Sequence, residues 1–248
     1  MKTLLNQNRG QFVIIASLMI ALMIVTIGFL MHKTVTYYKH EPWEEYLTIL
    51  DNVKLSSQKV VEISLANYTQ TQNETILLLN LQQWSKDIQK IFPGYGVSLN
   101  YSVANTTYNV SGTTIDYSSG LNTTWHQSTS YSIANATFTL NITAIGLIGY
   151  KYSITTLLNL TILDVNLGDN EITVIVKKEN EMPVDNLDAS NFQVLNSNGT
   201  SINIASVSSS YDETYALVYI IKCEQTLTTP LTVNVWDSRG IKVTATYP

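Results

Sequence analysis

Ten asparagines stand in Asn-x-Ser/Thr triplets: Asn67, Asn73, Asn100, Asn105, Asn109, Asn122, Asn135, Asn141, Asn159 and Asn198. This triplet is the acceptor pattern for a sugar joined to the side-chain amide nitrogen. Every asparagine from Pro93 through Thr161 lies in one, seven of seven. With about a third of that stretch Ser or Thr, chance gives this less than about once in a thousand trials. Strand geometry supplies a plainer source. Asn and Thr two residues apart share one side of a β-strand, so an exposed polar face generates the triplet without any sugar. Asn100, Asn105, Asn109 and Asn122 fall at strand ends or in loops, which favours glycosylation of several sites and places the region outside the cell.

The remaining reactive groups carry no catalytic pattern. His32 and His40 flank an apolar segment, His126 is solitary, and none has metal-ligand spacing to Cys, Asp or Glu. Asp185 and Asp188, near Asn186, read as solvated turn acids rather than a calcium loop. The single cysteine, Cys223, excludes an intrachain disulfide and ends an apolar run, as a buried inert thiol would. There is no phosphate-cradling glycine loop and no nucleophile elbow. The expectation is therefore no enzyme, no metal and no cofactor. A net charge of −5 also gives no basic face for nucleic acid.

What must position the asparagines is a polar sheet. Between Pro93 and Leu158 the only charged residues are Asp116 and Lys151. Alternation is clean from Ile133 to Thr143: Asn135, Thr137, Thr139, Asn141 and Thr143 point one way, and Ala136, Phe138, Leu140 and Ile142 the other. Val97, Leu99, Tyr101 and Val103 repeat the pattern. This predicts an antiparallel sheet with one wet face and a dry face covered by the preceding helices. One helix is expected over about 43–66, with a stripe of Tyr46, Ile49, Leu50, Val53, Val60 and Ile63. A second is expected to start at a capping box, Thr71-Gln72-Asn73-Glu74, with Leu77, Leu81, Trp84, Ile88 and Ile91 as its stripe. From Leu158 onward, short strands alternate with turn chemistry. Seven are expected, near 158–165, 171–178, 192–195, 202–207, 215–222, 231–236 and 241–247, the count of an immunoglobulin-like sandwich.

Phe12 to Met31 gives twenty positions without a charge, enough to cross about 30 Å of hydrocarbon as a helix. The run is too long, and its end too bulky, for a removable secretory signal. Basic residues flank both ends, so the triplets decide the direction: the carboxyl side faces outward.

The order of a short polar leader from Met1 to Asn8, then Arg9-Gly10, then Gln11 opening the apolar helix, resembles the class III signal of archaeal type IV pilin-like proteins, the group that includes archaellins. The resemblance covers residues 1 to about 40. It implies a membrane-embedded prepilin peptidase that cuts after Gly10, with Arg9 as the basic mark of the leader and Gln11 as the first mature residue. Bacterial pilins keep a glutamate where this chain has Ile15, which points to the archaeal group. By this reading residues 1–10 are a leader and 11–41 a transmembrane and assembly helix. Residues 42–157 are a helix-plus-sheet domain and 158–248 an immunoglobulin-like β-sandwich, an α+β chain. Its expected partners are membrane lipid, the peptidase, other pilin-like subunits through the helix, and a surface or cell ligand. The alternative is an uncleaved, signal-anchored extracellular binding module that does not polymerise. A helix interruption is expected at Glu41-Pro42-Trp43.

Overall fold

A computed structural model of the chain describes residues 4–39, 43–103, 107–110, 113–116, 119–212 and 216–248. The expected break at Glu41-Pro42 and the triplet asparagine Asn105 lie outside them. Two compact units divide the chain, Met1–Asp51 and Asn52–Pro248.

The first unit is dominated by helix α1 (Leu4–Lys39). Within it, Val13–Lys33 is long and apolar enough to cross a membrane, and none of that span is buried. Helix α2 (Trp43–Thr71) follows and continues into the second unit, where α3 (Ile76–Ile91) comes next.

The second unit is organised by one large antiparallel sheet. Its path is β1 (Val97–Ser102), β5 (Thr129–Ile142), β6 (Leu147–Asn166), β7 (Glu171–Lys178), β11 (Leu217–Cys223) and β10 (Ile204–Tyr211), with β4 (Leu121–Thr124) also paired to β5. A smaller sheet runs β13 (Lys242–Tyr247), β12 (Leu231–Trp236), β8 (Phe192–Leu195) and β9 (Ser201–Ile202), and β2 (Thr107–Val110) pairs with β3 (Thr113–Asp116).

Register explains which face is dry. Phe138 of β5 lies opposite Tyr152 of β6 and Tyr101 of β1, and Leu140 lies opposite Leu99. Opposed residues share a face, so these side chains point together. The Phe138 and Tyr152 rings stack with centroids 5.1 Å apart. Helices α2 and α3 cover this face. Ser85 of α3 donates to the Leu99 carbonyl, and Ser57 of α2 receives the Trp84 indole N–H at 3.0 Å while sharing a 3.0 Å bond with the Tyr152 hydroxyl.

The helices depart from expectation in two places. The buried face of α2 in this unit runs Val53, Ser57, Val61, Ser64, Leu65 and Tyr68, while Val60 is half-buried and Ile63 exposed. Ser57 is enclosed because its hydroxyl is the junction of that hydrogen-bond network, and a polar residue there breaks the apolar count. The capping box does not form. Thr71 is the last residue of α2, its hydroxyl donating to the Asn67 carbonyl. Helix α3 begins after Thr75, whose N–H and hydroxyl both bond the Asn73 side-chain oxygen.

The expected boundary between 157 and 158 falls inside β6, which runs without interruption for 20 residues. Its first part pairs with β5 and its last part with β7, so residues on both sides of Leu158 belong to one sheet. The dry face continues into Leu158, Leu160 and Ile162 of β6 and Ile172, Val174 and Val176 of β7, all buried. The smaller sheet packs on this same face. Ser132 of β5 donates to the Lys242 carbonyl of β13, and the Phe192 and Tyr219 rings meet with centroids 5.8 Å apart. Lys242 also joins the small sheet to α2, its N–H donating to the Thr69 hydroxyl at 3.2 Å, and its ammonium lies 5.5 Å from the Trp125 ring and 5.4 Å from the Trp236 ring. One strand expected over 202–207 is two, β9 and β10, which serve different sheets.

Gly120, just before β4, lies against both β5 and α3. Its φ is +74°, and a Cβ there would meet the Asn135 carbonyl oxygen at 2.8 Å and Leu77 Cδ2 at 2.9 Å. Gly149 has φ +73° but nothing within 4 Å. Gly120→Ala and Gly149→Ala should each cost about 1–2 kcal/mol for the left-handed backbone, and only Gly120→Ala should add about 1–3 kcal/mol of overpacking. Denaturant midpoints of the detergent-solubilised chain measure the difference; equal midpoints would refute the close approach.

Candidate functional site

Two surfaces hold the residues singled out in the sequence: the apolar span of α1 and the face of the large sheet turned away from the helices. From Val13 to Lys33 of α1 the side chains are unburied all round, with Val13 65% and Phe29 61% exposed. The two hydroxyls between Val13 and Met31 are satisfied within the helix. Ser17 donates to the Ile14 carbonyl at 2.9 Å, and Thr26 shares its proton between the Leu22 and Met23 carbonyls, each at 2.9 Å. From Val13 to Met31 the helix therefore leaves neither hydroxyl unpaired, which suits hydrocarbon, where such a group costs several kcal/mol. Arg9, Gly10 and Gln11 all lie within the helical backbone of α1.

Five of the triplet asparagines share the other surface. Register places Asn100 opposite Thr139, Asn141 opposite Ser98, Asn135 opposite Thr155, Asn122 opposite Ile133 and Asn159 opposite Tyr131. All lie on the face away from the helices. The side chains there pair across strands: Asn135 Nδ2 donates to Thr155 Oγ1 at 3.1 Å, Thr137 and Ser153 hydroxyls are 3.0 Å apart, and Asn141 accepts the Gly149 N–H at 2.7 Å. The five nevertheless differ in access. Asn100 is exposed, Asn122, Asn135 and Asn141 are half-buried, and Asn159 is only 2% exposed. Among the described residues the Asn159 side-chain nitrogen has no hydrogen-bond partner, and a sugar cannot be joined to it without opening the fold.

Outside this sheet, Asn67, Asn73 and Asn198 are exposed. Asn67 is the less favourable, because the hydroxyl of its triplet partner Thr69 is buried, donating to the Ala66 carbonyl and accepting the Lys242 N–H. Asn109 lies in β2.

Other candidates from the sequence resolve as structural. Cys223 is buried, and burial pushes its thiol up to about 11. Asp188 caps the short 3-10 turn Ala189–Asn191, and the Ser190 hydroxyl and N–H hold its carboxyl below the usual range. Among the described residues no group of three or more His, Cys, Asp or Glu is placed to hold a metal.

Nothing in the residue pattern announces a charged junction at Arg239, one of only two arginines in the chain. Its guanidinium bonds Asp237 Oδ2 at 2.6 Å, Glu179 Oε1, and the Leu157 carbonyl at 2.9 Å, while Leu157 N–H donates to Glu179 at 2.6 Å. Burial opposes the charge on Arg239, and the two carboxylates outweigh it and raise its pKa. This group joins the β12–β13 turn to the middle of β6. The tetrapeptide Asp237-Ser238-Arg239-Gly240 reads in the sequence only as a turn.

Comparison with protein families, curated proteins and solved structures finds no match to this chain.

Removing the guanidinium should strand the Asp237 carboxylate, which is 3% exposed. Arg239→Met is expected to cost about 3–5 kcal/mol, and a cycle with Glu179→Gln should show coupling above about 0.5 kcal/mol. Chemical denaturation of the four proteins tests this, and additive effects would remove Glu179 from the junction.

Proposed function

We propose that this chain is a glycosylated cell-surface subunit of the archaeal type IV pilin-like group, anchored by α1 and assembled through it into a pilus-like filament with a structural or adhesive role. The observation that carries the reading is the middle of α1, from Val13 to Met31, exposed on all sides, without charge and with its two hydroxyls closed on its own backbone. Such a helix is satisfied equally by lipid and by the helices of neighbouring subunits, so one segment serves as anchor and as polymer core. In this reading prepilin peptidase cuts between Gly10 and Gln11, the carboxyl side lies outside the cell, and the sheet bears sugars.

The C-terminal half reads as an immunoglobulin-like sandwich. Lettered from β6 as A in chain order, the strand orders β6-β7-β11-β10 and β13-β12-β8-β9 follow the ABED and GFC arrangement, with β9 as an added edge. This is an architecture with many uses, so it supports a surface module without naming its ligand.

One observation favours the second reading, an uncut anchor carrying a monomeric binding module. Helix α1 begins at Leu4, so the Gly10–Gln11 bond lies in hydrogen-bonded helix and must unwind before a peptidase can reach it.

The mass of the N-terminal peptide from protein purified out of native membranes separates the two. A chain starting at Gln11, or at its pyroglutamate, supports processing and assembly; a start at Met1 or Lys2 leaves the anchored module. Glycopeptide mass spectrometry of the same material should find sugar at Asn73, Asn100 and Asn198, whose side chains are exposed, and none at the buried Asn159. Bare peptides at all three exposed sites would end the glycoprotein reading.

A further inference from the structure

The sheets treat their free edges differently. The open side of β13 is covered by the loop before β5: His126 N–H donates to the Thr244 carbonyl and Thr246 N–H to the Gln127 carbonyl, each at 3.1 Å. Strand β9 at the far edge of the small sheet is only two residues long. Strand β10 has neither protection. It is an eight-residue edge, Ile204-Ala205-Ser206-Val207-Ser208-Ser209-Ser210-Tyr211, with no charge and no proline, and its one irregularity is a bulge near Ile204. Proteins normally blunt such an edge, because its unpaired N–H and C=O groups form a template for another strand.

The hairpin fixes which groups are unpaired. Asp212 N–H donates to the Ala216 carbonyl at 3.0 Å, so the Asp212 backbone faces β11. Alternation along the antiparallel pair then turns the backbone groups of Val207, Ser209 and Tyr211 away from β11. Among the described residues nothing bonds those groups, and the side chains of Ser206, Ser208, Ser209, Ser210 and Tyr211 make no hydrogen bond.

We propose that β10 is a self-association edge, and that its occupant is β10 of a second copy, antiparallel about a two-fold axis through Ser209. Outward-facing residues must oppose one another, which limits the registers. Centring the axis on Ser209 sets Ser209 against its own copy and Val207 against Tyr211 in both directions, so all three outward residues pair and exchange about six hydrogen bonds. The same register opposes Ser208 to Ser210 and Ser206 to Asp212. No charge meets a like charge, and Tyr211, 65% exposed, gains the β-branched Val207 as its cross-strand neighbour. A two-fold contact of this kind is closed and needs only one surface patch. It involves neither α1 nor the sugars, so it stands apart from the membrane reading.

Cysteine trapping tests it on the full chain in detergent micelles, with the buried Cys223 as a silent background. Ser209→Cys puts two thiols on the axis, where the Cα atoms of an opposed pair lie about 5.5 Å apart, within disulfide reach. Ser206→Cys lies three residues from the axis, so its two thiols are about 20 Å apart. Mild oxidation should therefore convert Ser209→Cys to a linked dimer at least tenfold faster than Ser206→Cys. Adding Ser208→Lys, which places charge on the edge without touching the sandwich interior, should reduce that rate to the Ser206→Cys level, with the circular dichroism spectrum unchanged. Equal rates for the two single variants, dimers that survive Ser208→Lys, or no linked dimer would each overturn the proposal.

Discussion

The fold rests on the pairing of one long strand. β6 takes β5 along its first fifteen residues and β7 along its last nine, counted from Leu147 to Thr161 and from Leu158 to Asn166. Because side chains alternate with a period of two, its register decides at once the fate of both neighbours. A slip by one residue would turn Leu158 and Leu160 away from the face that the helices and the small sheet share, and put Asn159 and Thr161 there in their place. The helices and the small sheet would lose their common floor together. The charged junction of Arg239 with Asp237 and Glu179 bonds to Leu157 near the centre of that strand, one residue before the two pairings begin to overlap.

The same alternation accounts for the chemistry of the opposite face. A region with almost no charge must stay compatible with water by other means, and here it does so with amides and hydroxyls that bond one another across strands. Asn135 with Thr155 and Thr137 with Ser153 are of this kind. These pairs weaken the link between an Asn-x-Thr triplet and a sugar, since the pattern has a structural use of its own. Asn159 is the extreme case, a triplet asparagine enclosed by the fold. The exposed asparagines in loops and on the sheet margin keep the glycan argument, which thus rests on fewer sites than the sequence offers.

Helix α1 poses a different physical problem. Its stretch from Phe12 to Met31 is charge-free, and the side chains from Val13 to Met31 are unburied in the chain itself, an apolar surface that water does not favour. Lipid and copies of the same helix are the two environments that meet this demand at little desolvation cost. The proposed function uses both in turn. The uncut anchor uses only the first, and the difference between them lies in one peptide bond after Gly10.

Much of the outline was legible in the residues. The absence of charge over twenty positions specifies α1, because the cost of burying a charge in hydrocarbon is a property of the side chain alone. The alternation of β5 likewise marks its dry side chains, Ala136, Phe138, Leu140 and Ile142, and the turn residues after Leu158 place the later strands to within a few positions. These signals are local. What only the tertiary structure decided is non-local: that β6 continues through Leu158 and fuses two expected domains, that β9 and β10 part to different sheets, that Ser57 sits inside as the partner of Trp84 and Tyr152, and that Arg239 reaches Leu157. A strand's periodicity states which side is dry but not which strand will lie beside it, since the partner is chosen by packing among segments far apart in the chain.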